Sequence, residues 1–127
     1  MYRPVPDLTI TNSKRMTTPK VDLEIFDTKR TFEDLGLNDS LVRSVKELGF
    51  VHPTIIQSKL IPLALSKVDV LGQSRTGSGK TAAFGLPALH LLEEGDAFGA
   101  LILVPTRELA IQVAKEIEVL GKFTNLK

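Results

Sequence analysis

The run Ser74-Arg75-Thr76-Gly77-Ser78-Gly79-Lys80-Thr81 limits what this chain can fold into more than any other stretch. A short apolar run, residues 68–73, precedes it, and a helical pattern from residue 80 to about 92 follows. Strand, glycine turn and helix in that order gather free backbone N–H groups and the positive end of a helix dipole around one anion. Gly77 and Gly79 provide the positive φ angles that turn the loop N–H groups inward. Lys80 is positioned to reach β- and γ-phosphates, and Thr81 to set its hydroxyl on Mg²⁺. The usual pattern opens with glycine where Ser74 stands, and a small residue still packs at such a place. The competing reading is a solvent-exposed Gly/Ser-rich turn followed by an unrelated Lys-Thr pair.

The flanking elements fit an α/β layer order. Asn38 or Asp39 caps a helix whose apolar face is Leu41, Val45 and Leu48, and Gly49 stops it. Pro53 and Thr54 open a second helix, in which Pro62 predicts a break or kink. Residues 100–104 form a continuous apolar run, which in this setting reads as a strand covered on both faces. Residues 106–120 form an amphipathic helix with Leu109, Val113, Ile117 and Leu120 on one face and Gly121 just past its end. Strand, helix, strand, helix predicts a parallel sheet with right-handed crossovers.

Residues 1–31 differ, with three prolines, a Thr/Ser/Asn-rich stretch and no sustained period. They read as a loosely ordered extension, with a short pairing segment near residues 23–26. Its functional alternative is a basic RNA-binding arm using Lys14, Arg15, Lys20, Lys29 and Arg30, diluted by interspersed acids. The chain's 127 residues carry a net charge of +1, so any nucleic-acid contact rests on local charge placement. There are no cysteines, which excludes disulfides and thiolate zinc sites. His52 and His90, far apart in sequence, read as packing or surface residues. No apolar run approaches the roughly 20 residues that span a bilayer. The expectation is a soluble cytoplasmic protein with no membrane partner, the nucleus being the alternative in a eukaryote.

Three motifs then fall in order. Gly49-Phe50-Val51-His52-Pro53-Thr54-Ile55-Ile56-Gln57, with Phe32 upstream, resembles the Q motif of the DEAD-box RNA helicases. Residues 74–81 resemble that family's motif I, with Ser74 and Arg75 in place of the more usual Ala and Gln. Pro105-Thr106-Arg107-Glu108-Leu109-Ala110 is similar to its motif Ia. The resemblance covers residues 32–127. It implies an α/β fold, namely the first part of a RecA-like phosphate-loop NTPase domain with a parallel sheet and flanking helices. It also implies ATP with Mg²⁺ as cofactors.

In that frame the site residues are Phe32, Thr54, Gln57 and the loop Ser74, Arg75, Thr76, Gly77, Ser78, Gly79, Lys80 and Thr81. Gln57 presents one donor and one acceptor to the adenine edge. Phe32 offers a stacking face, and Thr54 a hydrogen bond within the phosphate loop. Read without the family, Gln57 is an exposed helix residue and Phe32 a core aromatic. Pro105, Thr106, Arg107 and Glu108 sit where a strand gives way to a helix, so Arg107 and the helix N–H groups can hold RNA phosphates. The competing reading is that Thr106 only caps the helix and Arg107 pairs with a carboxylate.

Hydrolysis requires a carboxylate to hold Mg²⁺ and another to orient water. The family takes both from an Asp-Glu-Ala-Asp segment, which these residues do not contain, so the sequence reads as truncated before that strand. The expectation for the chain alone is no ATP turnover and self-association through an uncovered sheet edge. A non-catalytic nucleotide- or RNA-binding module is the alternative. A small nucleotide kinase would share the phosphate loop, but not Phe32, Gln57 and motif Ia together.

Overall fold

The computed structural model describes residues 25–75 and 77–126. Most of the expected N-terminal extension, with Lys14, Arg15 and Lys20, lies outside the described residues, as does Thr76. Among the described residues, four helices follow a single 3₁₀ turn at Glu33–Leu35: α1 (Asp39–Glu47), α2 (Ile55–Leu65), α3 (Lys80–Leu91) and α4 (Arg107–Leu120). α3 lies between α2 and α4, and α1 also meets α4.

Local chemistry sets the helix ends. Asn38 Oδ1 accepts from Leu41 N at 3.0 Å and starts α1. Thr54 and Gln57 form a reciprocal capping box at α2, each side chain bonded to the other's backbone N–H. Thr106 Oγ1 accepts from Leu109 N at 3.2 Å and starts α4. The buried core joins Phe32, Leu35, Leu41, Val45, Ile61, Leu86 and Leu120. Leu48, expected on the buried face of α1, is exposed instead, and Val42 is buried. Gly85 lets α3 and α4 approach closely: a Cβ there would stand 3.3 Å from Ile117 Cγ1.

One expectation is corrected, and a second is not confirmed. α2 runs through Pro62 without a break. Proline removes the N–H that would bond the Ser58 carbonyl four residues earlier. The Arg30 guanidinium takes that place, donating from Nη1 to Ser58 O at 3.3 Å. Arg30 therefore serves α2, not a free basic arm.

The second concerns the strands. Neither residues 68–73 nor residues 100–104 form a ladder; the only strand pairing among the described residues is an antiparallel bridge between Phe26 and Thr54. That bridge matches the short pairing segment expected near residues 23–26, of which residues 23 and 24 are outside the described residues. In 101–104 burial alternates: Leu101 and Leu103 are both 84% exposed, while Ile102 is 38% exposed and Val104 half-buried. One face meets the helices and the other is open, where two covered faces were expected. The residues have strand-like alternation without partners, because a strand's N–H and C=O groups are satisfied only by neighbours in the sheet.

Candidate functional site

The glycine loop has the geometry that its sequence calls for. Gly77 and Gly79 both have φ +78, in the left-handed region. α3 begins at the next residue with no side-chain cap, so no side chain competes for the N–H groups of its first turn. Lys80 opens α3 with an exposed side chain and forms no ion pair among the described residues. Thr81 is half-buried in the same turn. Ser74 and Ser78 bond to each other through their hydroxyls, and Arg75 is exposed. A groove of about 1110 Å³ opens here, with Gln57, Gly79, Lys80 and Thr81 at its polar side and Leu103 and Val113 at its apolar side.

Gln57 is not an exposed helix residue. It is 3% exposed, and its Nε2 donates to Gly79 O at 3.1 Å while its Oε1 accepts from Thr54 N at 2.9 Å. The capping box thus fixes the amide that holds the end of the glycine loop. Thr54 bonds within its own helix cap instead of to the loop; its methyl group is what faces Gly79. Phe32 is 2% exposed in the core, its ring centroid 6.2 Å from that of Phe50, so it presents no open face to a ligand. Phe50, not Phe32, lines the groove.

At the start of α4, Pro105, Thr106, Arg107 and Glu108 are all exposed. The Thr106 hydroxyl accepts the cap bond, and Arg107 forms no ion pair among the described residues. This group stands at the head of a different helix from the glycine loop.

Behind the site lies a clamp that sequence reasoning missed. Ser58 Oγ donates to Asp27 Oδ2 at 2.5 Å, Asp27 N donates to Pro53 O at 2.8 Å, and a ring nitrogen of His52 bonds Arg30 O at 3.1 Å. The Ser58 hydroxyl, above all, holds the Asp27 carboxyl below its ordinary value. The signal was present: Pro62 announces an orphan carbonyl at Ser58, which needs a donor from elsewhere. Glu33 is lowered in the same sense by the Lys46 ammonium. His90 Nδ1 accepts from Asn38 N at 3.1 Å, so it links α3 to the start of α1.

Comparison with known proteins fits this arrangement. The family model described as DEAD/DEAH box helicase matches residues 54–127, more than half of the chain. The chain belongs to the DEAD/DEAH box helicase family. This DEAD-box chain is 46% identical over 115 residues to the DEAD-box ATP-dependent RNA helicase RhpA of Helicobacter pylori, a match covering 88% of the chain and 23% of the relative. It is 49% identical over 105 residues to the ATP-dependent rRNA helicase rrp-3 of Neurospora crassa, covering 82% and 20%.

Among solved structures it resembles a DEAD box protein from the hyperthermophile Methanococcus jannaschii, with TM-score 0.68, 49% identity, and coverage of 71% of this chain and 25% of that one. S. cerevisiae Dbp5 bound to RNA and ADP BeF3 also gives TM-score 0.68, at 36% identity, covering 75% and 25%. The DEAD-box chain thus spans about a quarter or less of the length of these relatives. Among its described residues no helix is long and apolar enough to cross a membrane.

Proposed function

We propose that this segment is the ATP-binding front end of an ATP-dependent DEAD-box RNA helicase, one that remodels RNA duplexes in a longer protein. The observation that carries the reading is the pair of left-handed glycines, Gly77 and Gly79, leading directly into the uncapped start of α3 at Lys80. That arrangement suits a polyphosphate: fixed N–H donors, a helix dipole and one ammonium meet without further reorganisation. The residues also fit Mg²⁺, since Thr81 supplies one hydroxyl oxygen and the remaining ligands of such sites are phosphate oxygens and water. Mg²⁺ held there neutralises phosphate charge. In this reading residues 68–73 and 100–104 become strands of one parallel RecA-like sheet.

For the base, Gln57 exchanges its bond to the Gly79 carbonyl for the adenine edge. The amide then links the nucleotide to the start of α2, through the bond its Oε1 keeps with Thr54 N. At α4, Arg107 and the first-turn N–H groups hold RNA phosphates without reading sequence. That S. cerevisiae Dbp5, a structural relative, is bound to RNA supports RNA as the ligand class. For these 127 residues alone the function is binding without turnover, since no Asp-Glu-Ala-Asp segment is among them.

Titration calorimetry of the chain with ADP and with GDP tests the proposal. ADP is expected to bind at least about ten-fold tighter, since a paired amide–base contact is worth roughly 1–3 kcal/mol. Gln57→Ala should weaken ADP and erase the difference. Absence of ADP binding overturns the phosphate reading, and equal ADP and GDP affinities overturn the role given to Gln57.

A further inference from the structure

Ser74 stands where phosphate loops of this pattern open with glycine and where the DEAD-box pattern usually has alanine. Neither of those residues carries a hydroxyl. Here Ser74 Oγ and Ser78 Oγ are hydrogen-bonded to each other, and both residues are half-buried. The bond spans the loop from its first residue to the residue between the two left-handed glycines. A serine hydroxyl left alone in a turn rotates among three wells and bonds to nearby backbone groups. Paired with Ser74, the Ser78 hydroxyl is held in one of them.

The count of protons gives this pairing a consequence. Two hydroxyls hold two protons, and the bond between them uses one. Whichever oxygen is the donor, one O–H remains unspent on the pair. Chains of hydrogen bonds polarise one another, so that remaining O–H is a better donor than a solitary hydroxyl. Donation to an ionised phosphate is also stronger than donation to a neutral acceptor.

We propose that Ser74 is a positioning residue of the phosphate site: its bond to Ser78 fixes the loop hydroxyl and leaves one O–H for a phosphate oxygen of a nucleoside di- or triphosphate. The proposal rests on the phosphate reading given above, and it adds a group that the glycine or alanine at this position cannot supply.

The test is a set of affinities for ADP and for adenosine, measured by competition against a fluorescent ADP on the 127-residue chain. S74A should bind ADP about five-fold more weakly, because Ser78 keeps its O–H but loses the partner that orients and polarises it. S74T, which keeps the hydroxyl, should stay within about three-fold of the wild type. S74A/S78A should be no weaker than S78A, because both substitutions remove the same pair. Adenosine, which has no phosphate, should bind all four variants alike. Unchanged ADP affinity in S74A overturns the proposal. So does an additive double variant, or an equal loss for adenosine, which would mean that Ser74 only shapes the loop. If the wild-type chain does not bind ADP at all, the phosphate reading falls and this proposal with it.

Discussion

Gly79→Ala, compared with Gly77→Ala, isolates the contact between the capping box and the phosphate loop. Both glycines have φ +78, so alanine at either position carries the same left-handed backbone cost, about 1–2 kcal/mol. Their surroundings differ. A Cβ at position 77 meets nothing within 4 Å. At position 79 it would overlap Gln57 Nε2 and stand 3.2 Å from Gln57 Cδ and 3.3 Å from Thr54 Cγ2. Gln57 is 3% exposed and bonded at both ends of its amide, so it cannot swing aside freely. Displacing it breaks two hydrogen bonds of about 0.5–1.5 kcal/mol each. The expected gap between the two variants is about 2 kcal/mol, beyond the strain they share. Urea unfolding followed by circular dichroism measures it, as a lower midpoint for Gly79→Ala at similar m. In a Gln57→Ala background the overlap is gone, and the gap should close to a few tenths of a kcal/mol. Equal destabilisation by the two alanines, or a gap that persists without Gln57, would refute the reasoning.

Two further outcomes concern other parts of the molecule. The folded-state pKa of Asp27 is lowered, so its contribution to stability is present above the unfolded carboxylate value and is lost as pH falls through the folded one. Chemical denaturation at a series of pH values should therefore show stability declining below about pH 4, and Ser58→Ala should make that decline shallower. An unchanged slope in Ser58→Ala would put the acid sensitivity elsewhere, Glu33 being the other lowered carboxyl. Leu71, Leu101 and Leu103, at 77%, 84% and 84% exposure, should drive self-association of the chain at high concentration. Sedimentation velocity should show larger species that the double substitution Leu101→Lys with Leu103→Lys abolishes; a monomer at all concentrations would refute this.

What the sequence alone determined is local or repeated in pattern. Asn38, Thr54 and Thr106 start their helices because a cap acts within three residues, and α3 begins at Lys80 because Gly79 takes a conformation that side chains disfavour. The order of three motifs was enough to reach the family. Tertiary structure alone decided the rest. Pro62 stays inside α2 because Arg30, far upstream, donates to the carbonyl that the proline orphans. Gln57 is committed to Gly79 O because the capping box aims its amide across to a loop 22 residues later. Phe32 is a core residue because it is buried in one cluster with Leu35, Leu41 and Ile61, which decides between the ligand-facing and core readings the sequence left open. Residues 100–104 have the composition of a strand, yet pairing is a property of neighbours. Propensity and capping act over one helical turn, whereas burial and ladder formation depend on which distant surfaces meet.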